Sequence, residues 1–410
     1  MNQILFGSKA PSTGRELNED LASTPPHLVH VFPMFGIGGV PIRMSGIINH
    51  LGKAYRHTIV TLDGDDRCRT RLRPELNVGF VRSPIRKSGL VGTVRQILGH
   101  LRALRPDLLL TYNWGATEWA LANTLGGLTP HIHLESGFGP DEADQQIFRR
   151  VLFRRLALRG AVRIIVPSHV LHALATGAWR LPPAKVLHIP NGVDCRRFAA
   201  GSDDASPSLR EEPDEILIGT ISPLRPEKNL ARLLRVFAMI GASTAVRLVI
   251  VGEGAERNFL EKAAAELKVA PRVRFTGGTD APEDFLRSFD IFAITSDTEQ
   301  MPNSVLQAMA AGKPIAGVDV GDIRHMVAPE NRRFIVPRDD ERGLRDALDR
   351  LVADKALRDE LGSRNAAHAR RHYDQEAMFG AYARAIDGCL ATAPPRALLG
   401  ARSLEPEALP

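Results

Sequence analysis

From Pro26 onward, short runs of β-branched and aliphatic residues alternate with longer segments in which apolar residues recur every three or four positions. HLVHVFP, HTIVTL, NVGFV, PDLLLTYN, HIHLE and RIIVPS read as strands. The intervening VPIRMSGIINHLGKAY and VGTVRQILGHLRALR read as helices. The pattern stops near Ala200 at AAGSDDASPSLREEPDE, whose Ser/Asp/Pro content is that of a linker. It resumes with EILIGTI, RLVIVGEG, RVRFTGG, DIFAITS and KPIAGVDV, again separated by helical segments. Strand–helix alternation implies parallel sheets with helices on both faces. The fold class is therefore α/β, with two Rossmann-like domains over residues 27–192 and 193–372. The ends, 1–26 and 392–410, have the composition of disordered tails.

Ligands of open α/β sheets bind beyond the carboxyl ends of the strands, so motifs at those ends carry the candidate chemistry. VFPMFGIGGVPIRM leaves the first strand and enters a helix. Gly36, Gly38 and Gly39 let backbone amides approach a ligand there, unless they only make a tight turn. No GK[ST] follows, so this is not a Walker loop. LVIVGEGAERNFLE places Gly252, Glu253 and Gly254 at another strand end, but lacks the third glycine and the acidic residue of a dinucleotide site. ISPLRPEKNL puts Arg225 and Lys228 just before a helix, where a cation is unfavourable unless an anion lies between it and the helix start. A solvated surface lysine is the plain alternative.

SDTEQMPNSVLQAMAAGKP follows the strand DIFAITS. Ser304 and Gln307 fit an S-x-x-Q capping box, Gly312 suits a left-handed cap, and Pro314 blocks continuation. Gln307 thus has a structural explanation, whereas Glu299 lies outside the box, on the loop facing the cleft. The amides near Gln300, Met301 and Asn303 are placed to meet a diphosphate.

Composition narrows the partners. The 410 residues include 44% hydrophobic and 24% charged side chains, and the net charge of +6 favours anionic ligands. With 6% aromatics and no basic run interleaved with stacking rings, nucleic acid is not an expected partner. No run reaches the ~20 apolar residues of a membrane span, and the N-terminus lacks signal-peptide features. Cys68, Cys195 and Cys389 form neither a metal nor a redox pattern, which points to a reducing cytoplasm. Asp63-Gly-Asp65-Asp66 matches D-x-D superficially, but D-G-D is also ordinary turn chemistry. His30, His133 and His188 sit in strand-like contexts without ligand spacing and read as core or surface histidines. FRRVLFRRLALRG (148–160) is the densest basic stretch. Its arginines scatter around a helix and are expected to snorkel at a domain surface, with peripheral membrane contact as the alternative.

In this order, FGIGGVPIRM, HLESGFGPDE, RIIVPSHVLHAL, HIPNGVD, IGTISPLRPEKNL, LVIVGEGAERNFLE, VRFTGGTDAPEDFL and SDTEQMPNSVLQAMAAGKPIAGVDVGDI resemble the family 4 glycosyltransferases. That resemblance implies the GT-B fold, two facing Rossmann-like domains with a central cleft, and a helix at 373–391 crossing back to the first domain. It implies transfer of a sugar from a nucleotide-diphosphate sugar to a glycan or lipid-linked acceptor, with retention, without a metal and with no cofactor beyond that co-substrate. Lys228 matches the family's phosphate lysine and Glu299 its donor-sugar glutamate. Arg225, Gly252, Glu253, Gly277, Gln300, Met301, Asn303 and Gln307 fall on the donor side. Gly38, Gly39, Glu135 and Ser136 fall on the acceptor and diphosphate side. Three positions depart from the family pattern: Pro223 for its arginine, Ser136 for a histidine, and Gln307 for its second glutamate.

Overall fold

The computed structural model describes residues 24–86, 88–138, 140–142, 145–199, 209–241 and 245–392. Most of both expected tails and residues 200–208 of the expected linker lie outside them. The rest of that linker is not a free connector. Leu209 is buried in the second domain's core, and Glu215 accepts from Arg247 Nε at 3.0 Å.

The first domain holds a seven-stranded sheet: β1 (His27–Phe32), β2 (Arg56–Thr61), β3 (Gly79–Arg82), β4 (Leu108–Tyr112), β5 (His131–Leu134), β6 (Arg163–Val166) and β7 (Val186–His188). Its order is β3-β2-β1-β4-β5-β6-β7, parallel throughout. The second domain holds β8 (Ile216–Ile221), β9 (Val246–Val251), β10 (Val273–Gly277), β11 (Ile291–Ile294), β12 (Ile315–Val318) and β13 (Ile335–Val336). These run β10-β9-β8-β11-β12-β13, again all parallel. All eleven strands read from the pattern form. The two without a sequence signal, β7 and β13, have three and two residues, too few to show a period.

Burial on both faces explains the continuous apolar runs: all six residues of β1 and of β9 are buried. Strand order reverses beside β1 in one sheet and beside β8 in the other, which opens a crevice at each carboxyl edge. The C-terminal helix Gln375–Leu390 returns to the first domain. There Met378, Phe379, Tyr382 and Ile386 pack with Leu28, Phe32 and Met44 in one core cluster. The two chain crossings touch where Val193 and Asp374 form a parallel bridge.

Candidate active site

The second-domain half is assembled from loops that follow β8 and β11. After β8 the chain makes one 3₁₀ turn, Pro226–Lys228, then Asn229 adopts a left-handed conformation. The Asn229 side chain accepts from Arg232 N at 3.1 Å, capping the helix Leu230–Ala238. Its amide nitrogen donates to both Asp297 oxygens, at 3.1 and 3.0 Å, in the loop after β11. The Asp297 amide donates back to the Glu227 carbonyl at 2.9 Å. These cross-links hold the two loops together and bring Lys228 Nζ to 2.6 Å from Glu299 Oε1. Ser296 Oγ donates to the same oxygen at 2.8 Å. Lys228 and Glu299 therefore form one partly buried charged pair, with Glu299 on the loop that leads into the helix Asn303–Ala310. The first amides of that helix lack intrahelical acceptors, as at any helix start.

Glycines join the neighbouring strand ends. Gly252 has φ +154°, and a Cβ there would collide with the Ser222 carbonyl. Gly252 N donates to Gly277 O at 2.8 Å, and Leu224 N to Glu253 O at 2.9 Å, which binds the ends of β8, β9 and β10 to one another. Glu253 is exposed, and its side chain lies over Gly277.

The first-domain half reaches across the cleft. A Cβ on Gly39 would lie 3.3 Å from Asn303 Nδ2, so the glycine loop meets the start of the opposing helix. Asn191 stands between them: its side-chain nitrogen donates to Met301 O at 2.9 Å and to Asn303 Oδ1 at 3.2 Å. Arg43, buried on the helix Gly39–Leu51, donates to Asn191 Oδ1 and, at 2.7 Å, to Ser136 Oγ. Further along the seam Ser168 Oγ donates to Gln300 Oε1 at 3.0 Å.

The predicted residues thus divide. Gln300, Met301, Asn303 and Gly39 make contacts across the seam, and Ser136 bonds Arg43 beside it. Lys228 pairs with Glu299, Gly252 and Gly277 join strand ends within the second domain, and Gly38 precedes the helix Gly39–Leu51. Arg225 does not join Lys228; it is exposed, and the ion pair it makes is with Glu227 at 3.9 Å. Glu135 is fully buried behind the cleft, 3.7 Å from Arg154 Nε and 3.8 Å from His133 Nε2, which replaces the expected acceptor-side position. The capping box also fails to form. The helix begins at Asn303, with its N-cap at Pro302, two residues before Ser304, and no side-chain cap. Ser304 then lies inside the first turn, and half-buried Gln307 has no capping role. The other end is as expected: Gly312 has φ +69° and Lys313 N donates to Ala308 O. Arg43 and Asn191 join the site without having been expected there. Both lie inside quoted motifs, but the contacts that bring them together span 148 positions of sequence.

The other candidates resolve as turn, core or surface. Asp63 Oδ1 accepts from Asp65 N at 2.9 Å, while Asp65 and Asp66 pair with Arg67 and Arg69. His30 hydrogen-bonds Tyr112 and His57 in the core, and His133 bonds Thr111. In the helix Phe148–Ala157 the arginines do not all snorkel. Arg154 is buried, donating to Glu142 at 2.7 Å with its guanidinium 4.8 Å from the Trp114 ring centre.

Two parallel α/β domains meeting at a seam, with a C-terminal helix returning to the first, have the architecture of the GT-B fold. The chain belongs to the family 4 glycosyltransferases: its sequence matches Glycosyltransferase Family 4 over residues 37–197 and Glycosyl transferases group 1 over 202–368. It is 28% identical, over 68% of both chains, to the D-inositol 3-phosphate glycosyltransferase of Stackebrandtia nassauensis. It is 27% identical to the 2-deoxystreptamine N-acetyl-D-glucosaminyltransferase of Streptomyces fradiae, over 78% of this chain and 83% of that one. In fold it is similar to the sucrose-phosphate synthase of Thermosynechococcus elongatus, with a TM-score of 0.75 at 19% identity, covering 90% of this chain and all of that one. It is also similar to Anabaena HepE in complex with UDP, with a TM-score of 0.73 at 17% identity, over 88% of this chain and all of that one.

Proposed function

We propose that the protein transfers a hexosyl group from a nucleotide-diphosphate sugar to a glycan or lipid-linked acceptor, with retention of configuration and without a metal. The observation that carries this reading is the Lys228–Glu299 pair, formed between the loops that precede the helices Leu230–Ala238 and Asn303–Ala310. As the bond from the anomeric carbon to the leaving phosphate oxygen breaks, its electron pair stays on the diphosphate. The new bond forms to the acceptor oxygen, whose proton passes to the departing phosphate or to solvent. A lysine and helix-start amides stabilise the charge that collects on the diphosphate. In this reading Glu299, which accepts from Ser296, takes sugar hydroxyls once a phosphate competes for Lys228.

The test is a thermal-shift screen with UDP-, GDP- and ADP-sugars, followed by transfer assays in EDTA. NMR of the product's anomeric proton reports configuration. Stabilisation by a donor with retained product supports the proposal; an inverted product or dependence on added metal overturns those terms. A second reading, a nucleotide-sugar-binding relative with little turnover, draws on Pro223, which stands where the resemblance expects an arginine, and on Arg225, which is exposed and pairs with Glu227. Binding without hydrolysis or transfer across the donor panel selects it. A nucleotide-sugar epimerase would reveal itself by converting the donor without acceptor.

Cytoplasmic residence with peripheral membrane contact is part of the proposal. Phe148, Leu152 and Leu156, spaced four apart on one helix, are 76%, 46% and 52% exposed, with exposed Arg149 and Arg159 beside them. An apolar stripe flanked by arginines suits an anionic bilayer surface. Among the described residues no helix is long and apolar enough to cross a membrane. Co-sedimentation with phosphatidylglycerol vesicles, lost in Phe148→Ser/Leu152→Ser, tests it.

A further inference from the structure

Away from the charged pair, a second cluster straddles the domain seam. His169 opens the helix His169–Thr176, and His188 ends β7, both in the first domain. Asp322 and His325 come from the second domain, around the short helix Ile323–Met326. His169, His188 and Asp322 each offer one ligand atom, and these atoms lie within 4.8 Å of one another. The His169 and His188 ring centres are 4.3 Å apart, and His325 is 5.7 Å from His169. All four residues line one pocket of about 170 Å³, which His372 also borders.

The surroundings hold the donors in place. The Asp322 oxygens accept from His169 N at 2.7 Å and Val170 N at 3.2 Å, which fixes the carboxylate across the seam. A carboxylate has about four acceptor sites, so two such bonds leave lone pairs for a cation. His188 Nε2 lies 3.1 Å from the Pro167 carbonyl. Donation there puts the ring's lone pair on Nδ1, the arrangement in which a backbone carbonyl orients a metal-binding histidine. Metal–nitrogen bonds of about 2.0–2.1 Å require donors nearer together than 4.8 Å, and exposed His169 is free to supply that movement by side-chain rotation.

We propose that this cluster binds a divalent transition metal of the zinc class, with His169, His188 and Asp322 as ligands and His325 at hand for a fourth position. Imidazole-rich sets select Zn²⁺, Ni²⁺ or Cu²⁺ over Mg²⁺, which prefers oxygen. The position gives the site a consequence. His188 precedes the outgoing crossing at Val193, and His372 precedes the returning one at Asp374. A metal held by ligands from both domains ties them together beside the crossings and restrains their relative motion. This rests on binding geometry alone and stands or falls apart from the transferase reading.

The experiment uses tag-free full-length protein stripped with EDTA and titrated with Zn²⁺ by calorimetry. Co²⁺ serves as a visible-absorbance probe of tetrahedral nitrogen and oxygen ligation. Wild type is expected to bind one equivalent. His169→Ala and His188→Gln should each weaken binding by at least about tenfold. His50→Ala, on an exposed histidine outside the pocket, should leave it unchanged. Amide exchange over 189–193 and 372–375 should slow with Zn²⁺ in wild type only. Equal affinity in wild type and His169→Ala overturns the site, as does the absence of one-equivalent binding. Exposed His169 decides the matter should His188→Gln melt early; Gln is chosen there because it keeps a donor for the Pro167 carbonyl.

Discussion

The two domains share a parallel topology but not an interior. Strands β1, β2 and β5 carry five buried histidines, His27, His30, His57, His131 and His133, whereas β8 to β13 carry none. In the first sheet polar rings replace aliphatic packing and bond one another: His30 to His57 at 3.1 Å, and Thr111 to His131 and His133 at 2.7 and 2.8 Å. The second sheet's core is assembled from aliphatic neighbours such as Ile218, Leu248, Ile250, Ile291 and Val318. One fold therefore tolerates either filling, but the two fillings answer differently to protons.

Acid is the largest expected way to separate the domains. Burial first, then the neighbouring His27 charge, pushes His57 down to about 4, and burial with His133 pushes His131 down to about 3. The unfolded chain titrates these rings near the ordinary 6.5, so between that value and the folded pKa it binds more protons than the native state. Stability is therefore lost as pH falls from about 6.5 toward 4, by about 3 kcal/mol for His57 alone. All three tryptophans, Trp114, Trp119 and Trp179, lie in the first domain, so their fluorescence reports that domain. Its urea midpoint should drop steeply between about pH 7 and pH 4.5. A midpoint that holds steady over this range would sink the contrast.

The site divides along the same line, and Lys228→Ala tests the second-domain half. Turnover of the preferred donor should fall about 10²–10³-fold, the usual loss for one well-aimed stabiliser of developing charge. Glu299→Ala should lower transfer more than it lowers nucleotide-diphosphate binding. Unchanged kcat and KM for Glu299→Ala would remove that residue from the mechanism.

The same division explains what the sequence shows of the site. Lys228 and Glu299 sit on loops that directly follow strong strand signals, so pattern and motif together locate them. Arg43, Asn191 and Ser136 meet only because β1, β5 and the first crossing converge, and no local period encodes that meeting. Glu135 shows the converse error. The resemblance puts it on the acceptor side, yet its side chain is fully buried beside Arg154 and His133. The cap differs from expectation by two residues, because Pro302 takes the position that Ser304 fits by motif. β7 and β13 are too short to carry a period of their own.

Arg43→Met breaks the first-domain half. It removes charge-assisted bonds to Ser136 and Asn191 at a buried site, so stability should fall by about 1.5–3 kcal/mol. The loss should appear in tryptophan-monitored unfolding, with turnover reduced less than in Lys228→Ala. A turnover loss as large as that of Lys228→Ala would show that both halves handle the developing charge, and the asymmetry would disappear.

Gln307 gives the smallest and sharpest test. Without a capping role, its amide is free of the structural duty that the motif suggested, so Gln307→Ala should change stability by less than about 0.5 kcal/mol. Gln307→Glu restores the family's second carboxylate on the helix that follows Glu299 in the chain. A carboxylate accepts from ribose hydroxyls with bonds about twice as strong as those of a neutral amide. Donor affinity, measured by calorimetry with the nucleotide sugar found in the screen, should therefore rise several-fold with kcat nearly unchanged. If affinity stays the same while Gln307→Ala costs a full cap's worth of about 1 kcal/mol, the residue serves the helix and not the donor. The second-domain half would then rest on Lys228 and Glu299 alone.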